Sequence, residues 1–200
     1  MRVIGLTGGV GSGKSTVAQH LQELGTVLVD ADKVGHQTYL PGSPAWKDLV
    51  AEWGQELLQP DQEIDRKKLG SIVFSDPKAL ARLNSIVHPR MRDIIQQQLT
   101  DLNQNGVRVA VLEAAILIEA KWIDIADEIW VVDAPEAAVI QRLQKRNSFT
   151  EEQARARIKS QLPREERLSY ADVVIDTDCP LDEVRSRVRQ AWEQRIKALE

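Results

Sequence analysis

Apolar residues in this chain fall into short unbroken runs, separated by longer stretches with helical spacing. Arg2 to Leu6 is one such run, closed by Thr7-Gly8-Gly9, and it predicts a buried strand. Lys14 to Leu24 follows with Val17, Ala18, Leu21 and Leu24 on one face and Gly25 as a stop, which predicts a helix. Val27-Leu28-Val29, ended by Asp30, predicts a second strand. Residues 31–105 read as mostly helical, with Pro44 and Pro77 in first-turn positions and Ser75-Asp76-Pro77 as a helix start. His88-Pro89 reads as a break before another helix. Val107 to Leu112 and Ile129 to Val132 are further apolar strands, the latter closed by Asp133-Ala134-Pro135. Two helices are expected near 136–146 and 151–161, followed by an Arg/Glu-rich segment to Leu168 and a last strand at Val173-Val174-Ile175. From Pro180 the tail predicts a helix, because Leu181, Val184, Val188, Trp192, Ile196 and Leu199 recur at spacings of three and four.

Five short, wholly apolar strands separated by helices predict an α/β fold: a parallel sheet with helices on both faces. The stretch between the second and third strands, about 75 residues, is too long for one crossover helix. It reads as a helical insertion over the carboxyl ends of the strands, the edge where such sheets bind ligands.

Composition narrows the function. The 200 residues suit one domain that buries roughly 70% of its unfolded surface. The one cysteine, Cys179, rules out an intramolecular disulfide or a cysteine-based zinc site and fits a cytoplasmic setting. With 26 basic and 30 acidic residues the net charge is −4, which disfavours a nucleic-acid partner. The start Met1-Arg2-Val3-Ile4-Gly5-Leu6 is too short for a signal-peptide core, and no apolar run is long enough for a bilayer. The five tryptophans are scattered, as packing residues are.

Gly8-Gly9-Val10-Gly11-Ser12-Gly13-Lys14-Ser15 fits G-x-x-x-x-G-K-[ST] in full, between a predicted strand and a predicted helix. Its glycines let successive N–H groups turn toward phosphate oxygens, and the helix that follows adds its N-terminal dipole. Lys14 would reach the β- and γ-phosphates and the Ser15 hydroxyl would ligate Mg²⁺. G-x-G-x-x-G is not met, and the Asn-Lys-x-Asp or Thr-Lys-x-Asp of guanine readers is absent.

Asp30-Ala31-Asp32 at the end of the second strand offers two carboxylates that can orient or deprotonate a hydroxyl or hold metal-bound water, or else cap a helix. Glu113 ends the third strand where an acidic residue near a metal is expected, and Glu119 follows it. Arg142 and Arg146 lie one helical turn apart, followed by Arg155, Arg157, Arg164 and Arg167. They can fork onto phosphate oxygens from a mobile lid, or pair with neighbouring glutamates on a solvated helix. His88 reads as a structural partner or a ligand.

Together these stretches resemble the dephospho-coenzyme A kinase family over nearly the whole chain. The resemblance rests on Ile4 to Thr16, Val29-Asp30-Ala31-Asp32, His88-Pro89, Ile116 to Glu119, Gln141-Arg142-Leu143 to Arg146, Arg157-Ile158 with Gln161, and Ala171 to Asp176. It implies one P-loop, nucleoside-kinase-like domain over 1–200 that transfers phosphate from ATP, with Mg²⁺, to the ribose 3′-hydroxyl of dephospho-coenzyme A. It implies a helical coenzyme-A-binding lobe at about 31–105 and a lid at about 142–165. Asp32, Lys14 and Arg142 would be catalytic. Gly9, Gly11, Ser12, Gly13, Lys14, Ser15, Thr16 and Arg146 would hold the nucleotide, Ser15 the metal, and Asp30 and His88 the acceptor. A monomer or weak homo-oligomer acting on a small molecule, without nucleic acid or membrane, completes the expectation. The chain departs from the family pattern at Glu113, Ala115, Ile118, Asn147 and Thr177, where Asp, Pro, Phe, Asp and Asn are common. Two other readings remain open at this level. One is a P-loop kinase of a nucleoside monophosphate or small polyol, and the other is a nucleotide-dependent regulator without transfer.

Overall fold

Ile4 and Leu6 are fully buried, and a strand built on them occupies the centre of the sheet. In the computed structural model, which describes residues 1–196, β1 (Arg2–Gly8) lies between β3 (Val109–Glu113) and β4 (Glu128–Asp133). β2 (Val27–Asp30) and β5 (Val173–Asp176) are the edges of a five-stranded parallel sheet in the order β2-β3-β1-β4-β5. The register sets Leu6 opposite Glu113 and Gly8 opposite Val132. The chain therefore leaves β1 at Gly8 between the carboxyl ends of β3 and β4, as the sheet's apolar pattern requires.

The chain divides into two compact units, one of Met1–Val29 with the segment from Asp101 onward, the other of Asp30–Thr100. In the first unit, α1 (Lys14–Glu23) and α9 (Leu181–Arg195) cover one sheet face. Val17, Ala18 and Leu21 of α1 and Val184, Val188 and Ala191 of α9 join Ile4, Leu6, Val111, Trp130, Val132 and Ile175 in one apolar cluster. Leu181, expected on that face, is 56% exposed, because it opens the helix after Pro180 rather than facing the sheet. Leu199, expected to extend the same stripe, lies outside the described residues. A second cluster joins Val139, Ile140 and Leu143 of α6 (Glu136–Asn147) to Ala154 of α7 (Glu151–Lys159), with Val10 packed against it. α8 (Arg164–Leu168) follows.

The second unit holds α2 (Ala31–Thr38), α3 (Pro44–Trp53), α4 (Arg66–Val73) and most of α5 (Pro77–Gln104). Pro44 and Pro77 open α3 and α5 as expected. The expected break at His88-Pro89 does not occur: α5 runs through Pro89 for 28 residues. Ile86, Val87, Met91, Ile95 and Leu99 are buried on both sides of the proline, so the apolar stripe continues across it. Pro89 and Ser85, one turn earlier, both face solvent, where water can satisfy the Ser85 carbonyl that lacks its usual N–H donor. Arg90 also folds back, its Nη1 donating to the Ile86 carbonyl at 2.5 Å.

Because the Pro89 ring is exposed, its removal costs no packing and restores a helical N–H. Pro89→Ala should stabilise the protein by roughly 1–2 kcal/mol, the helix-interior penalty of proline less the entropy returned to the unfolded chain. Urea denaturation measures this, and a lowered midpoint would contradict the account of α5.

Candidate active site

Between β1 and α1 the backbone of residues 8–15 curls around an open cavity of about 800 Å³, lined by the loop itself together with Glu113, Arg142, Arg146 and Gln161. Gly13, at φ 91°, is the N-cap of α1 and brings no side-chain oxygen to the helix start. A residue with a Cβ would be strained in this left-handed conformation. The first turn of α1 has no acidic side chain either, so no side chain offsets the helix dipole toward an incoming anion, although the Thr16 N–H already donates to the Gly13 carbonyl at 3.0 Å.

The loop is held from outside by its carbonyls. The buried Thr177, just after β5, donates through Oγ1 to the Ser12 carbonyl at 2.6 Å. Its own N–H donates to the Asp133 carbonyl at 2.9 Å. Arg142 on α6 donates through Nη1 to the Gly11 carbonyl at 3.2 Å and to Thr177 Oγ1 at 3.0 Å, and through Nη2 to the Thr177 carbonyl at 2.6 Å. In a planar trans peptide the C=O and N–H point in opposite directions. Tying the Ser12 carbonyl to Thr177 therefore turns the Gly13 N–H the other way. Thr177 is one of the positions that departs from the family pattern, and its hydroxyl does the tying. On the opposite flank, Gln161 accepts from the Val10 N–H through Oε1 at 2.7 Å.

Lys14, at the start of α1, places Nζ 3.7 Å from Glu113 Oε1 at the end of β3, and both side chains are largely buried. The arginines separate by role. Arg142 is fixed on the loop, whereas Arg146, a turn away and exposed, bonds Asn147 Oδ1 through Nε at 3.1 Å and lines the cavity. Arg155 pairs with Glu136 and Glu151 at the surface. Arg164 forks onto Asp133, with Nε 2.9 Å from Oδ1, and this bond raises its pKa above the usual arginine value. Arg167 is buried, and its burial lowers its pKa.

In the second unit, the Asp30 carboxylate accepts from the N–H groups of Asp32 at 3.0 Å and Lys33 at 3.2 Å, which makes it the N-cap of α2. Asp32 is exposed in the first turn, and its carboxylate has no partner among the described residues. The capping role open to both aspartates thus falls to Asp30. His88, half-buried in α5, has its pKa lowered by desolvation.

The structure brings Gly9, Gly11, Ser12, Gly13, Lys14, Ser15, Thr16, Arg142 and Arg146 to one cavity. Asp30, Asp32 and His88 belong to the other unit. Sequence reasoning missed the work of Thr177 and Gln161, whose partners lie more than a hundred residues away. Their only sequence signal was a place in or beside the stretches that carried the family resemblance.

A family model described as dephospho-CoA kinase matches residues 2–183. The dephospho-CoA kinase of Geobacter sulfurreducens is 42% identical over 196 residues, which is 98% of this chain and 100% of that protein. Among solved structures, a dephospho-CoA kinase from Campylobacter jejuni aligns with TM-score 0.75 at 26% identity, covering 100% of both chains. The Thermus thermophilus protein TT1252 aligns with TM-score 0.83 at 29% identity, covering 98% of this chain and 97% of that one.

Thr177→Val keeps the shape of the side chain but leaves the Ser12 carbonyl and one Arg142 N–H without their partner. The loss should be about 1–3 kcal/mol of stability, read from the denaturation midpoint, with Thr177→Ser close to the parent. A valine variant as stable as the parent would mean that the hydroxyl ties nothing.

Proposed function

We propose roles for individual residues from one premise: the chain belongs to the dephospho-CoA kinase family. The enzyme is an ATP-dependent kinase that phosphorylates the ribose 3′-hydroxyl of dephospho-coenzyme A, giving coenzyme A and ADP, the last step of coenzyme A biosynthesis. The observation that carries the residue roles is the cradle at residues 8–15, whose Gly11 and Ser12 carbonyls are engaged from outside and whose helix N-terminus is uncapped by any side chain.

In this reading the backbone of Gly9, Gly11, Ser12, Gly13, Ser15 and Thr16 holds the phosphates of ATP. Lys14 leaves Glu113 to neutralise charge between the β- and γ-phosphates as the bond breaks. Arg142 and Arg146 serve the nucleotide from α6, with Arg142 already oriented by Gly11 and Thr177. The Ser15 hydroxyl and the Glu113 carboxylate are hard oxygen donors, and no group of three or more candidate ligands occurs among the described residues. That set suits Mg²⁺, which binds through few protein groups plus substrate phosphates. When bound, the ion would neutralise phosphate charge.

Asp32 is the proposed base. Its support is a carboxylate that neither caps α2 nor pairs with any described group. In a loose transition state the 3′-oxygen bonds to the γ-phosphorus as the bridging oxygen departs with ADP, and the hydroxyl proton passes late to Asp32. Asp30 fixes the first turn from which Asp32 projects. His88 and the helical lobe at about 31–105 take the acceptor, its imidazole favoured neutral by burial. The segment at about 142–165 is the proposed lid, anchored to the phosphate loop at Arg142 and Gln161. A cytoplasmic monomer or weak homo-oligomer completes the proposal. Among the described residues no helix is long and apolar enough to cross a membrane.

Two variants test the assignment. Lys14→Ala should fold normally and lose roughly 10²-fold or more in turnover, and near-normal turnover would remove Lys14 from the chemistry. Asp32→Asn cannot accept the proton. It should bind ATP and dephospho-coenzyme A nearly as tightly as the parent and turn over about 10²–10⁴-fold more slowly. Retained turnover in Asp32→Asn, with loss in Asp30→Asn or Glu113→Gln, would move the base to one of those residues.

A further inference from the structure

Arg167 is a buried cation that has not been matched with an anion. The residue is 8% exposed. Among the described residues, the guanidinium makes one hydrogen bond, from Nη2 to the Leu162 carbonyl at 2.7 Å, and no ion pair. Asp133 and Glu119 act on Arg167 only through space, the Asp133 carboxylate being bonded by the fork of Arg164. An arginine cannot shed its proton to escape burial, so one with a single carbonyl partner and no carboxylate in contact gains when an anion comes to it.

Its position says which anion. A Cβ built on Gly9 would sit 3.0 Å from Arg167 Nη1 and 3.6 Å from Cζ. The guanidinium thus lies against the bare backbone of the phosphate loop, and glycine at position 9 makes the approach possible. The same segment is pinned to the loop by Gln161, which accepts from the Val10 N–H. Gly9, Val10 and Ser12 line the cavity around the cradle and also a neighbouring one of about 480 Å³, lined by Arg167 and Arg164. Arg167 meets the loop at its opening residues, away from the helix start, where the first-turn amides would hold the inner phosphates.

We propose that Arg167 is a phosphate-binding arginine of this kinase that contacts the terminal phosphoryl group of the nucleoside triphosphate. This rests on the kinase reading above. A fork-shaped cation held rigidly by burial presents two donors to phosphate oxygens at little entropic cost. It strengthens as charge spreads over the transferring group.

The test uses the full chain with Arg167→Gln, which keeps a donor for the Leu162 carbonyl and removes the charge, and Arg167→Lys, which keeps the charge without the fork. Both are studied below their melting temperatures. Calorimetry with Mg²⁺ compares ADP and the β,γ-imido analogue of ATP, and turnover is followed with ATP and dephospho-coenzyme A. The expected result for Arg167→Gln is ADP affinity within about 3-fold of the parent, analogue affinity at least ~10-fold weaker, and kcat lower by on the order of 10²-fold. Arg167→Lys should fall between Gln and the parent on the last two measures. Equal loss of ADP and analogue affinity, no loss of either, or a lysine variant no better than glutamine would overturn the proposal. A parent enzyme that binds ATP but transfers nothing to dephospho-coenzyme A would overturn the kinase reading instead, and the ADP-to-analogue comparison would still decide the role of Arg167.

Discussion

A phosphate cradle must aim its backbone amides at an incoming anion and yet hold them still. This constraint organises the sheet-containing unit. The loop gives up side chains at its glycines and can pack little of itself, so much of its rigidity comes from carbonyls held on the outer side of its peptides. Arg142 and Thr177 take the carbonyls of Gly11 and Ser12, and Gln161 steadies the Val10 N–H on the far flank. The buried β1 delivers Gly8 level with Val132, so the loop starts from a fixed point. Together these bonds set the direction of the amides before any nucleotide arrives, and such preorganisation makes an electrostatic site effective.

Apolar packing and polar geometry divide the labour. Val10 is the loop's one large apolar side chain, and it sits against the cluster of Val139, Ile140, Leu143 and Ala154. That burial is non-directional and only brings α6 and α7 up to the loop. Direction comes from hydrogen bonds: Arg142 projects from the same helix as Leu143 and lands on two carbonyls. A helix with its apolar face docked and its arginines turned to the loop serves packing and chemistry together. The same economy recurs in α2, where Asp30 caps the helix and leaves Asp32 unengaged.

Much of this was legible in the sequence for a physical reason. Strands covered on both faces must be apolar throughout, so β1, β3 and β4 stand out as uninterrupted runs, and the loop motif is local in sequence. What failed was non-local or decided by context. Pro89 looked like a helix end, but the buried stripe from Ile86 to Leu99 outweighs one missing hydrogen bond on an exposed face. Leu181 kept the spacing of the α9 stripe yet lies outside its buried face. The arginines looked alike, and only burial and partners separate the looped-in Arg142, the forked Arg164, the enclosed Arg167 and the surface Arg155. Thr177 and Gln161 reach the loop across more than a hundred residues, a distance that no spacing pattern encodes.

The central claim is that this cradle holds a triphosphate for transfer to one hydroxyl of one acceptor. The most direct measurement is product analysis after incubation with ATP, Mg²⁺ and dephospho-coenzyme A. It combines mass spectrometry with phosphorus–proton correlation to locate the new phosphate. The account requires ADP and an equimolar product heavier by one phosphoryl group, with its phosphorus coupled to the ribose 3′ proton. ADP and inorganic phosphate beside unchanged dephospho-coenzyme A, or a phosphate on any other oxygen, would contradict it.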